Sequence, residues 1–308
     1  MLKKIVKSSV ITALATSALF AADFNAQAEK DRKALIQYFE AKFEDPLKNR
    51  DNFFPYSTDA ELTDNIQGGL KHMDFGIGNY AFNKTGRQTY NEIKEMPPYE
   101  DNIDKGAKLY EGSAALKACF PETAIAGDYP YFDETRKEVI TLTQAINECL
   151  TKANDPLIQN EKKKKLNEKK GPMADIQAFF AAQTKEAEKT VNIKIESADA
   201  AAAYERGKEY YYTQRGYFKL SCATCHVQGA AKRVRNESLS QLLGHTTHFP
   251  VYRLKWQGLG TLERRMEGCI KDQGQNPPSP SSKEMKELLY FMAYMSNEMP
   301  VDGPDIRK

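Results

Sequence analysis

The chain has 308 residues, 41 % hydrophobic and 28 % charged, with 44 basic side chains against 42 acidic ones. So even a balance gives no reason to expect a nucleic-acid or anionic-membrane partner. The length exceeds the usual single domain, so two are expected.

The first residues read as a secretory signal. Lys3, Lys4 and Lys7 precede an apolar, small-residue stretch from Ser8 to Ala22, and Ala26-Gln27-Ala28 offers a cleavage site, with Ala21 or Ala22 as earlier choices. The apolar run is shorter than the roughly 20 residues needed to span a bilayer, and no later segment is apolar enough. A signal peptide over residues 1–28 and an exported, periplasmic mature protein are expected. All five cysteines follow the signal: Cys119, Cys149, Cys222, Cys225 and Cys269. Disulfides persist in an exported protein, and an odd count leaves at least one cysteine for other chemistry.

Glu29 to Phe43 reads as a helix. Asn52 to Tyr56 and Gly68 to Gly78 read as loops packed on the first domain. Two segments then look like copies of one plan. The first runs Gly106-Ala-Lys-Leu-Tyr110, Cys119, Cys149, then Met173 to Phe180. The second runs Gly207-Lys-Glu-Tyr-Tyr211, Cys222, Cys269, then Met285 to Met292. Each places a helix before a cysteine, a loop-rich middle, a second cysteine, and a closing helix with aromatic residues. The Lys-rich run Glu161 to Lys170 reads as a solvated helix or loop. Thr190 to Ser197 has no helical period and reads as a linker. The expected domains are 29–190, with its N-terminal extension, and 191–308. The fold class is mainly α: two tandem cytochrome c-like domains, the first without haem.

Cys222-Ala-Thr-Cys225-His226 is the haem attachment pattern. Two thiols form thioethers with one porphyrin edge, and the adjacent His226 supplies an axial iron ligand. A redox Cys-x-x-Cys would want a thioredoxin-like βαβ context, and none is legible. A zinc half-site would need partners for which only His245 and His248 are available. One covalent haem c is therefore expected, on Cys222 and Cys225. In the first copy Cys119 is followed by Phe-Pro-Glu-Thr, so haem cannot attach in the usual way. Cys119 and Cys149 are free to pair, closing a loop of about 30 residues worth about 3 kcal/mol in the chain-entropy model.

The sixth iron ligand has several candidates: Met266, Met292, Met295, Met299, His245, His248 and Cys269. Cys269 is the odd thiol, with Arg264, Arg265 and Lys271 close by, and neighbouring cations favour thiolate chemistry. If Leu262 to Ile270 is helical, Arg265 and Cys269 share one face, one turn apart. Such a thiolate can bind iron or accept sulfur from an anion held by the arginine.

The leader, the duplicated plan, a single Cys-x-x-Cys-His in the second copy and Arg265-Met-Glu-Gly-Cys269 downstream resemble the SoxA subunits of SoxAX cytochromes, in their monohaem form. Ile146-Asn-Glu-Cys149 falls where a dihaem relative would put its distal cysteine. The resemblance implies an L-cysteine S-thiosulfotransferase, which joins thiosulfate to a cysteine of the SoxYZ carrier and releases two electrons to an acceptor cytochrome c. It implies His226 and Cys269 as axial ligands, Cys269 as a persulfide centre, Arg265 as the thiosulfate site, and SoxX, a small monohaem cytochrome, as heterodimer partner. The rival reading is a plain electron-transfer cytochrome with a Met ligand such as Met292. A cytochrome peroxidase is a weaker one, because it usually needs two haems.

Overall fold

The computed structural model describes residues 23–234 and 237–307. Helices dominate: α1 (Ala26–Glu44), α2 (Arg50–Phe53), α3 (Asp59–Asn65), a 3-10 stretch at His72–Ala81, α4 (Lys84–Lys94), α5 (Glu100–Gly112) and α6 (Ala114–Cys119) come first. The hairpin β1 (Tyr131–Asp133) and β2 (Glu138–Ile140) leads into α7 (Leu142–Lys152), α8 (Pro156–Gln159) and α9 (Pro172–Glu186). The second half has α10 (Ala198–Tyr212), a π-helical turn at Thr224–Gln228, and a short pair, β3 (Arg233–Val234) with β4 (Glu237–Ser238). There follow β5 (Val251–Arg253), β6 (Gly258–Gly260), α11 (Leu262–Asp272), α12 (Lys283–Tyr294) and β7 (Asp305–Arg307). β6, β5 and β7 form a three-stranded sheet in that order. Among the described residues no helix is long and apolar enough to cross a membrane.

The two copies share one packing geometry. α5 crosses α9 at Gly106, where an added Cβ would lie 1.9 Å from the Asp175 carbonyl oxygen and 2.9 Å from Cβ of Phe179. α10 crosses α12 at Gly207, where it would lie 2.0 Å from the Glu287 oxygen and 2.9 Å from Cβ of Phe291. Only glycine permits either approach. One turn on, Tyr110 meets Phe179 and Tyr211 meets Phe291, each at 5.3 Å between ring centroids. The Gly-x-x-x-Tyr motif is thus a helix-crossing device used twice. The middles correspond as well. In each, an antiparallel hairpin runs directly into an 11-residue helix capped by a threonine, Thr141 for α7 and Thr261 for α11. Cys149 and Cys269 both stand eight residues after that threonine.

Thr190–Ser197 is extended, as expected of a linker, but it is tied down. Val191 N donates to Met299 O, Glu298 N to Val191 O, and Asn297 brackets Ile193 through both its amide N and O.

The N-terminal extension departs from expectation. Residues 52–56 and 68–78 do not pack on the first copy alone. Leu35, Phe39, Phe43, Phe54, Leu70, Phe75 and Phe82 join a core shared with Tyr204, Tyr211, Met292 and Tyr294 of the second copy. Polar links follow the same route: Tyr204 Oη donates to Asp31, Gln241 Nε2 to Phe75 O, and Thr247 Oγ1 to Gly76 O. The apolar face of α1 required a core, but periodicity does not say which one.

The proposed leader lies mostly outside the described residues. Ala26-Gln27-Ala28, however, opens α1, and Ala28 is buried in that shared core. Cleavage after Ala28 would remove the helix's first turn.

Candidate haem site

The attachment motif sits where α10 has delivered the chain into a tight turn. Ser221 and Thr224 bond reciprocally: Thr224 N donates to Ser221 Oγ and Ser221 N to Thr224 Oγ1, both at 3.1 Å. The π turn that follows is closed by Gly229 N donating to Thr224 O at 3.0 Å. π turns recur at functional sites because they re-aim side chains. Here the turn carries Cys225 and His226, with Cys222 buried just before it.

His226 is partly buried. Burial, opposed by a hydrogen bond to the Ser240 carbonyl and reinforced by the Arg265 charge, lowers its pKa to about 4, so the ring is neutral at neutral pH. Its Nδ1 lies 2.8 Å from Ser240 O. That bond fixes the tautomer with the proton on Nδ1 and leaves Nε2 as a lone-pair donor, the usual arrangement for an imidazole metal ligand.

His226 and Cys222 open onto a cavity of about 930 Å³, counting its mouth. Cys269, Arg265, Met266, Met292, His245 and His248 also line it. α11 accounts for the first three. Its residues Glu263, Met266 and Ile270 are buried in the interior, while Arg265 and Cys269, one turn apart, face the cavity together.

The expected ligand candidates separate in space. Met295 and Met299 are core residues that do not reach the cavity. His245 packs edge-on against His226 at 4.5 Å, with Nε2 held 3.0 Å from Ser240 Oγ. His248 is tied through Nδ1 to Gly244 O at 3.2 Å. Neither histidine pairs with a second Cys/His set as a zinc half-site would demand. Cys269 is a free thiol, partly exposed.

The three cations expected near Cys269 part company. Arg264 lies over the Trp256 ring at 4.1 Å and donates to Leu259 O. Lys271 pairs with Glu267 at 2.6 Å. Only Arg265 lines the cavity, and its guanidinium makes no hydrogen bond or ion pair among the described residues.

Sequence reading missed two more arginines. Arg253 in β5 and Arg307 in β7 line the same cavity. Burial and the nearby Arg265 push Arg253 down to about 10. Arg307 is buried over Tyr80 and Tyr90 and bound to Asp305, yet its Nη2 has no partner, and neither does the Tyr211 hydroxyl on the cavity wall. Three guanidiniums face one lining carboxylate, Glu237, and with Arg307 already paired to Asp305 the wall is cationic on balance. A haem brings two propionates, so these donors fit it. No local signal marks Arg253 or Arg307, since each is a lone arginine in a short strand.

In the first copy, Cys119 at the end of α6 and Cys149 on α7 are disulfide-bonded, with Cα atoms 6.3 Å apart. The Arg265 position has no charged counterpart there, because the matching residue of α7 is Ala145.

Fold and site define a c-type cytochrome in duplicate with a thiol and an arginine facing the haem pocket. Residues 206–301 match the family model for the SoxA/TsdA cytochrome c domain. The chain is 41 % identical to the L-cysteine S-thiosulfotransferase subunit SoxA of Chlorobaculum tepidum, over 78 % of this chain and 82 % of that one. The SoxA of Allochromatium vinosum is 37 % identical over 76 % and 83 %. The SoxXA crystal structure from P. pantotrophus superposes with a TM-score of 0.61 at 25 % identity, covering 72 % of this chain and 84 % of that one. The chain belongs to the SoxA family of L-cysteine S-thiosulfotransferase subunits.

Proposed function

We propose that this chain joins thiosulfate to a cysteine of the SoxYZ carrier, with Cys269 as the reacting sulfur and Arg265 as the anion site. The observation that carries it is the placement of Arg265 and Cys269 on one face of α11, in the cavity that also holds His226 and Cys222. An S–S bond forms between the sulfane sulfur of thiosulfate and the carrier cysteine, and one thiol proton and two electrons leave. The electrons pass to an acceptor cytochrome c.

Arg265 suits its role chemically. A guanidinium with no internal partner can give a sulfonate two parallel charge-assisted hydrogen bonds. Cys222 and Cys225 would hold a single haem by thioethers, and His226 and Cys269, the latter carried as a persulfide, would be its iron ligands. The haem, when bound, supplies an electron acceptor beside the sulfur. Burial keeps His226 neutral and its bond to Ser240 fixes the tautomer, and Arg253 and Arg307 balance the propionates. Cys119 and Cys149 form a structural disulfide where a dihaem relative would hold iron. The domains are 29–190 and 191–308, the latter bearing the haem. SoxX is the heterodimer partner, and the mature protein works in the periplasm after loss of its signal peptide.

Met266 and Met292 also line the cavity, which favours a Met-ligated electron carrier. Mass analysis of the Cys269 peptide is the direct test. One extra sulfur atom is the expected result. An unmodified thiol, with a Met-type spectrum that persists in Cys269→Ala, would overturn the assignment.

A further inference from the structure

α11 carries the reacting pair, yet it is anchored largely by the other domain. At its N-terminus Thr261 N donates to Lys169 O at 3.2 Å, and Thr261 Oγ1 donates to Glu168 O at 2.8 Å. Two residues on, the buried carboxyl of Glu263 lies beside Thr143 of α7, whose hydroxyl favours its ionised form. Gln177 Nε2 of α9 donates to that hydroxyl at 2.7 Å, which leaves the hydroxyl proton free to face Glu263. One turn further, Glu267 forms an ion pair with Lys169 Nζ.

The anchoring elements are themselves fixed. Asn147 of α7 brackets Leu166: its Nδ2 donates to Leu166 O at 3.2 Å, and Leu166 N donates to its Oδ1 at 2.8 Å. This holds the segment that ends in Glu168 and Lys169. The disulfide ties α7 to α6 two residues beyond Asn147. Thr143 and Glu263 also stand at the same place in the two copies, each two residues after its capping threonine. At this one contact the copies meet through equivalent positions.

We propose that the haem-free first domain positions the Cys269 helix, with Thr143 and Lys169 as its positioning residues. The idea rests on Cys269 being the reacting sulfur. Within the haem domain α11 is held by its Met266 and Ile270 face and by Arg264, which stacks on Trp256 and donates to Leu259 O. A one-turn helix shift or rotation would swing Arg265 and Cys269 off the cavity together. The first domain blocks that movement at the first two turns of α11, with α7 as the strut.

The test uses the full-length, haem-loaded protein. Amide hydrogen exchange across Leu262–Asp272 is compared in wild type, Thr143→Val with Lys169→Met, Lys169→Met alone, and Lys169→Arg. Ser113→Ala serves as the control, because it removes the α6 cap and its bond to Asp155 in the same domain without touching α11. Exchange in α11 is expected to rise roughly three- to tenfold in the Met-containing variants, the factor one or two lost hydrogen bonds carry. α10 and α12 should stay protected, Lys169→Arg should restore α11, and the low-spin ferric EPR signal should broaden. Unchanged α11 exchange, or an equal rise in Ser113→Ala, would overturn the proposal. If the double variant does not fold, Lys169→Met, a change at a partly exposed side chain, reads the same comparison. Exchange does not depend on what ligates iron. A wild-type Met spectrum would therefore sink the Cys269 assignment while leaving the strut result to stand or fall separately.

Discussion

Arg265 and Cys269 lie one turn apart on α11 and both open onto the cavity that holds His226. Neither has a counterpart of the same chemistry in the first copy, where the matching positions are Ala145 and the disulfide-bonded Cys149. The two copies therefore share a scaffold and differ in what one helix face presents.

Replacing Cys269 by alanine should bring thiosulfate turnover to background while the haem stays attached, because Cys222 and Cys225 lie on the other segment. Intact mass should show one haem per chain, and the visible spectrum should shift. Retained turnover would remove Cys269 from the chemistry.

The neighbouring arginines should behave oppositely. Arg265→Ala is expected to lower kcat/KM for thiosulfate by about 10- to 100-fold, mainly through KM, as for a lost charged hydrogen-bond donor. Arg264→Ala should leave turnover unchanged and cost about 0.5–1 kcal/mol of stability, the worth of its stacking on Trp256. Steady-state kinetics with denaturant unfolding separates the two.

Removal of the Cys119–Cys149 bond by paired serine substitutions should cost about 3 kcal/mol, since it frees a 30-residue separation in the unfolded chain. Haem content should not change. Equal stability of the variant and wild type would mean the bond constrains nothing.

Asp305 is buried between Lys94, Arg307 and the Tyr90 hydroxyl. Burial alone would raise its pKa, but Arg307 and Lys94 outweigh it and hold the carboxyl below its usual 3.8. Its ionised form is thus favoured in the folded state, and the stabilisation is complete above that usual value and lost as pH falls through the folded one. Asp305→Asn should cost about 3–5 kcal/mol at pH 7, because two cations lose their partner. The gap in Tm from wild type should close under acid. A gap independent of pH would show that the pair is not electrostatic.

Much of the site was legible because its parts are local. Cys222, Cys225 and His226 fall within five residues, and Arg265 with Cys269 within five more, so spacing alone reveals shared faces. The duplication was legible because Gly106 and Gly207 permit the same close crossing. By contrast, the Lys-rich run that read as solvated supplies Glu168 and Lys169 to α11. A charged loop carries no mark of which residue finds a partner a hundred positions away.

Sequence alone determined that Cys222, Cys225 and His226 form the haem attachment pattern and that one arginine and one thiol share a helix face, since both follow from residue spacing and helical period. Tertiary structure decided the rest. It chose the core that α1 covers, sent Arg264 to Trp256 and Arg265 to the cavity, brought Arg253 and Arg307 to the same wall, and set the first domain against the Cys269 helix. These are contacts between distant segments. They are fixed by which apolar faces fit together, and no local pattern encodes that choice.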